Sequence, residues 1–210
     1  MSYSAIILHP LEIDRGRILD ICGVIEQRIQ GIYLYGSQVY GTNSHLSDFD
    51  ILVVASSLHA HKEFRDGTYN VHIKTPDLFL DELWMHKMHA LECIYAPRFA
   101  KLKDEVKYCD FVPVKHKLQR EALSESHVAW TRGKRMILDG DMYRGMKSLW
   151  HSLRILLFAL QIINEGDIYD FSEANNYWES IEESKHIKWN DFKDMLLPIK
   201  IMLMDMVKEA

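Results

Sequence analysis

Two aspartates two residues apart, Asp48 and Asp50, open the apolar run Ile51-Leu52-Val53-Val54. On an extended strand such residues point to the same face, so two carboxylates converge beside a buried strand. Charges that close repel and raise each other's pKa, and a divalent cation relieves this. Oxygen ligands at a strand mouth suit Mg2+ or Mn2+, with water and phosphate completing the coordination. Fourteen positions before Asp50, Gly36-Ser37 follows a second apolar run, Ile32-Tyr33-Leu34-Tyr35. Glycine lets the backbone approach a ligand closely, and the serine hydroxyl with the following amides can donate to phosphate oxygens. A phosphate cradle and a metal-binding carboxylate pair at neighbouring strand ends are the minimum for metal-assisted attack on a nucleotide's α-phosphate.

The elements that must hold these residues are readable from periodicity. Apolar residues at Ile13, Ile18, Ile21, Val24, Ile25 and Ile29 predict one helix over 11–29. Strands are predicted at 32–35, at 49–55, where the unbroken apolar run implies burial on both faces, and at 68–74, entered through Asp66-Gly67. Thr75-Pro76-Asp77 has the form of a helix start: hydroxyl cap, proline at the first position, acid in the first turn. Beyond residue 110 the pattern is helical. Helices are predicted over 116–139 and 141–165, split by Gly140, the second closed by Gly166. Ser172 and Asn190 are candidate caps for two more, and Pro198 a candidate kink. The layout is α+β: a short mixed sheet with flanking helices in residues 1–110, then a helical bundle in residues 111–210.

The spacing Gly36-Ser37, ten residues, Asp48-Phe49-Asp50 resembles the signature of the DNA polymerase β-type nucleotidyltransferase superfamily. Asn70-Val71-His72-Ile73-Lys74 with Phe79, then Leu91-Glu92-Cys93-Ile94-Tyr95-Ala96-Pro97, and a basic helix bearing Lys147, His151 and Arg154 resemble the RNA-ligase-associated predicted nucleotidyltransferases (RlaP). The resemblance implies a minimal nucleotidyltransferase domain that binds Mg2+ or Mn2+ through Asp48 and Asp50. Nucleotide would be bound through Gly36, Ser37, Lys147, His151 and Arg154, and an NMP moved from an NTP to an acceptor hydroxyl such as an RNA end. Two positions depart from the pattern. Gln38 stands where the subgroup has arginine. Asn70 stands at the third catalytic position, where the superfamily has a carboxylate; it offers an uncharged carbonyl oxygen, with His72 two residues on. The competing readings are an inactive nucleotide- or RNA-binding module, with Asn70 marking lost chemistry, and a protein-nucleotidylating, antitoxin-like enzyme.

Composition sets outer bounds. In 210 residues, 25 Lys and Arg against 30 Asp and Glu leave a net charge of −5, so a nucleic-acid partner must be met by a local patch. No apolar run reaches the roughly 18–20 residues of a membrane span, and the first eight residues lack the basic start of a signal peptide. Cys22, Cys93 and Cys109 are too few and too scattered for a disulfide framework, which makes a reducing cytoplasm the default. Lys147, His151 and Arg154 share a helix face; the bland alternative is a solvated cationic face. Arg144 and His151 also fit the loose spacing of helical ribonucleases (HEPN domains). His86, His89 and Glu92 could line one helix face, most simply as a solvated one. His59 and His61 fall in an expected exposed loop. The five tryptophans and Met202, Met204 and Met206 are expected to pack in the core or at interfaces.

Overall fold

The computed structural model describes residues 13–44, 47–56, 62–108, 111–184 and 188–210. The readings of the first eight residues, His59, His61 and Cys109 lie outside them. The chain divides into two compact units, Met1–Met85 with His89–Phe111, and His86–Met88 with Val112–Ala210.

The first unit is built on a five-stranded sheet. Its strands are β1 (Ile29–Tyr35), β2 (Phe49–Ala55), β3 (Glu63–Asp66), β4 (Tyr69–Lys74) and β5 (Lys101–Asp104), in the order β3-β4-β2-β1-β5. β2 and β4 run parallel and the other neighbours antiparallel. β2 is the central strand, and Ile51 to Ala55 are all buried, as their unbroken apolar run requires. Gly67, at φ 58°, and Thr68 form the two-residue turn between β3 and β4.

The two sheet faces have different partners. Ile32, Leu34, Ile51, Val53, Val71 and Ile73 share one face with Tyr69 by register. Helix α1 (Arg15–Cys22) packs here against β3 and β4. The Asp14 amide donates to the Tyr69 hydroxyl (2.9 Å), and the Arg17 guanidinium lies 5.1 Å from the Tyr69 ring while pairing with Asp66. The other face carries Tyr33, Tyr35, Asp50, Leu52, Asn70, His72 and Lys74. Phe79 of α3 (Pro76–Trp84) stacks on Tyr33 there, rings 5.8 Å apart. α2 (Ser37–Tyr40) follows β1, and α4 (Met88–Ile94) follows α3. Thr75 caps α3, its hydroxyl accepting from the Leu78 amide, with Pro76 as first residue.

Several boundaries differ from the sequence prediction. The helix predicted over 11–29 is eight residues long, because Gly23 in the left-handed region closes it through a bond to the Asp20 carbonyl. Glu26–Arg28 form a 3-10 turn, and Ile29 already belongs to β1, opposite Ala55. β3 and β5 were not predicted. Both are four-residue edge strands rich in charge, without apolar alternation.

The second unit is helical: α5 (Lys115–Leu138), α6 (Met142–Glu165), α7 (Asn175–Glu183) and α8 (Trp189–Glu209). α5 and α6 approach closely at two glycines. A Cβ on Gly133 would sit 2.9 Å from the Gly145 carbonyl oxygen, and one on Gly145 2.5 Å from Ile137 Cγ1. Asp141 caps α6 at its start and Gly166, at φ 78°, at its end. Ser172 does not cap α7; its hydroxyl donates to Asp170, and the helix starts three residues later. α8 starts at Trp189, one residue before Asn190, and the Lys188 amide donates to Asp191. Pro198 lies inside α8. Trp150 and Trp178 are buried 5.6 Å apart, whereas Trp84 is largely exposed. Met202 and Met206 are exposed. Among the described residues no helix is long and apolar enough to cross a membrane. The architecture is α+β, a mixed sheet with flanking helices followed by a run of helices.

Candidate active site

Gly36 follows β1 at φ 76°, ψ −155°, a combination that is essentially glycine-only. The reason is spatial as well as conformational, because a Cβ there would lie 2.5 Å from Asp50 Oδ2. The Asp50 carboxylate is thus seated on the backbone at the end of the neighbouring strand. The Gly36 carbonyl accepts from the Val39 and Tyr40 amides, turning the chain into α2, whose first residue is Ser37. Asp48 is exposed immediately before β2.

Asp50 pairs in register with Asn70 of β4 and with Tyr35 of β1. Asn70 is 8% exposed, and its Nδ2 donates to Asp50 Oδ1 at 2.9 Å. The Asn70 carbonyl oxygen, Oδ1, is buried and accepts no hydrogen bond. A buried acceptor left empty costs about 1–3 kcal/mol, so this oxygen is suited to a ligand. Burial and the nearby Asp50 charge push the Tyr35 phenol well above its ordinary pKa. His72, half-buried, is next along β4 on the same face. Its ring centroid is 6.2 Å from that of Tyr35.

The donor set fits a hard divalent cation: the carboxylates of Asp48 and Asp50 and the empty Asn70 carbonyl oxygen are all oxygen ligands. No cluster of three His, Cys, Asp or Glu side chains suited to a metal occurs among the described residues. The structure gathers Gly36, Ser37, Asp48, Asp50, Asn70 and His72 in one unit. Gln38 lies in the same turn, its amide nitrogen buried without a hydrogen-bond partner.

Lys147, His151 and Arg154 belong to the other unit, on α6, and differ in environment. Lys147 is exposed, its ammonium 4.8 Å from the Tyr143 ring centroid. Arg154 is buried, its guanidinium 4.8 Å from Trp150 and 5.7 Å from Phe158, with Nη2 2.7 Å from His151 Nδ1. Arg144 is exposed and pairs with Asp141.

The trio His86, His89 and Glu92 is not a solvated helix face. His86 is buried at φ 63° between α3 and α4, and its Nε2 accepts from the Val114 amide. Buried Glu92 accepts from the Tyr40 hydroxyl. His89 lies within 3.0 Å of Glu82 and 2.7 Å of the Lys74 ammonium, which also bonds Glu82. Burial alone would raise the Glu82 pKa; hydrogen bonds from His89 and Lys74, with their charges, overcome this and hold it below its ordinary 4.5.

Sequence reasoning missed Arg65. It lies on β3 opposite Asn70, hence on the face of Asp50. The two-residue turn at Gly67-Thr68 was the signal that could have placed it, since turn length fixes hairpin register.

Residues 16–115 match the family model of the nucleotidyltransferase domain. No curated protein matches the chain. Among solved structures, a nucleotidyltransferase-like protein from Exiguobacterium sibiricum 255-15 aligns at 13% identity over 88% of this chain and 70% of its own, with a TM-score of 0.32.

Proposed function

We propose that this protein is a metal-dependent nucleotidyltransferase that moves an NMP from an NTP to an acceptor hydroxyl. The observation that carries the reading is the Asp50 carboxylate resting on Gly36 while bonded to Asn70. It joins a phosphate-binding turn to a charged, ligand-competent face, within the segment that matches the nucleotidyltransferase domain.

In this reading Gly36 and Ser37 receive the phosphate tail of the donor. Asp48, Asp50 and the Asn70 carbonyl oxygen would hold Mg2+ or Mn2+, and the ion when bound would supply stabilisation of charge on the reacting oxygens. The acceptor oxygen attacks the α-phosphorus; the new O–P bond forms as the bond to the bridging oxygen breaks, and pyrophosphate leaves with that electron pair. Asn70 is uncharged and its amide is committed to Asp50, so the hydroxyl proton passes to the His72 imidazole on the same strand face. Lys147, His151 and Arg154 as further nucleotide-binding residues, and an RNA end as acceptor, belong to the same proposal. So does the division into a nucleotidyltransferase-like domain over 1–110 and a helical domain over 111–210; the separation into two compact units supports it.

Incubation with each α-labelled NTP and Mg2+ or Mn2+ tests the proposal. The expected result is pyrophosphate release coupled to label on an acceptor. The replacement of the third carboxylate by Asn70 favours one second reading, a nucleotide-binding module without catalysis. Under that reading NTP binds but no pyrophosphate appears.

A further inference from the structure

The sheet register sets four residues in one row across the face that carries Asp50: Tyr35 of β1, Asp50 of β2, Asn70 of β4 and Arg65 of β3. The Asn70–Asp50 hydrogen bond confirms the shared face. Neighbouring strands are about 4.8 Å apart, so Arg65 and Asp50 are separated by about 10 Å at the backbone, within reach of a long side chain from one end and a bound substrate from the other. Gly36 and Ser37 follow Tyr35 at one end of the row, and Arg65 stands at the other.

That order has a directional meaning, resting on the nucleotidyl-transfer reading above. In displacement at phosphorus the entering and leaving oxygens are roughly in line, on opposite sides of the phosphorus. With the donor's phosphate tail at Gly36 and Ser37, pyrophosphate departs toward β1. The acceptor therefore enters from β4 and β3, the side of His72 and Arg65. In the two cross-strand rows at this end, Arg65 is the one guanidinium among the described residues; the other members are Tyr35, Asp50, Asn70, Glu63, His72, Leu52, Tyr33 and, on β5, Lys101. Its side chain is 67% exposed, and its ion pair with Glu63, at 3.1 Å, is also exposed. Such a pair is weak and readily exchanged. A guanidinium's forked donors match phosphate oxygens.

We infer that Arg65 binds a phosphate group on the acceptor, so that the attacked hydroxyl belongs to a phosphorylated molecule. Arg65 takes no part in bond making; it holds the acceptor on the entry side while the proton leaves toward His72. The phosphate could be supplied by the terminal nucleotide of a strand or by a small phosphorylated compound.

The test uses the full chain with the donor site filled by a nonhydrolysable NTP analogue. Three acceptors are titrated: an oligonucleotide with a free 3′-hydroxyl, a nucleoside 5′-monophosphate, and the unphosphorylated nucleoside. The wild-type protein is expected to prefer the phosphorylated acceptors by about tenfold or more. Arg65→Ala should erase that preference, reduce the salt dependence of acceptor binding by about one charge, and leave binding of the NTP analogue within about twofold. Glu63→Gln, which frees the guanidinium, should tighten acceptor binding. Stronger binding of the oligonucleotide identifies a strand end, and equal binding a small phosphorylated molecule. The inference is overturned if Arg65→Ala weakens the NTP analogue instead, if wild type ignores the phosphate, or if labelled NTP modifies protein hydroxyls in preference. Pyrophosphate release separates the two levels. Normal release with no effect of Arg65→Ala removes the acceptor assignment and leaves nucleotidyl transfer standing; no release with any acceptor removes both.

Discussion

Replacing Asp50 by asparagine removes a charge but keeps an oxygen that can accept from Asn70 Nδ2, as the carboxylate does at 2.9 Å. Asp50→Asn should therefore fold, with a melting temperature without metal equal to or above wild type, since repulsion toward Asp48 is relieved. Transfer should fall by about 10²–10³-fold or more, as when charge stabilisation at a reacting oxygen is lost. A variant that folds and retains near-normal turnover would remove Asp50 from the metal site. The neighbouring positions separate two ways of managing the acceptor's proton. With His72 as base, His72→Ala should cut turnover about 10²–10⁴-fold, while Asn70→Asp changes turnover little. Asn70→Asp accelerating transfer severalfold, with His72→Ala harmless, would assign the role to position 70.

At the scale of elements, Lys74 at the end of β4, Glu82 of α3 and His89 of α4 tie sheet to helices in one cluster. The Glu82 carboxyl is held below its ordinary value, so its contribution to stability is complete at neutral pH and is lost as pH falls from about 4.5 through the lower native value. Glu82→Gln should cost about 1.5–3 kcal/mol at pH 7 and flatten the loss of melting temperature between pH 5 and 3. Parallel wild-type and variant melting curves across that range would contradict the linkage. The elements also show where sequence reading succeeds. β2 was legible because its apolar run is buried on both faces, and α6 because Asp141 and Gly166 mark its ends. α1 was overrun because Val24, Ile25 and Ile29 continue a helical spacing by coincidence, while Gly23 ends the helix. β3 and β5 carry charges that no periodicity reveals. At the site, the adjacency of Gly36 and Asp50 could be anticipated from their spacing around neighbouring strands. The Asn70–Asp50 bond and the row ending in Arg65 depend on register, which sequence supplies only through turn length.

For the molecule as a whole, the two compact units interleave along the sequence. Residues 86–88 group with the helical unit. There the Val114 amide donates to His86 Nε2 (2.8 Å), Glu121 and Glu125 pair with Lys87, and Glu125 accepts from the Met88 amide. A chain ending at residue 110 loses all of these partners. Calorimetry should show residues 1–110 melting below the full chain; an unchanged midpoint would show that the 86–88 contacts contribute nothing. The sheet's rims have another consequence. Among the described residues β3 and β5 each have a strand neighbour on one side only, and such an edge invites the addition of strand upon strand into an aggregate. Glu63, Arg65 and Asp66 guard one rim, and Lys101, Lys103 and Asp104 the other. The charges that hid these strands from sequence reading thus act as gatekeepers against self-association. Arg65, assigned to the acceptor, would then serve colloidal stability with the same positive charge.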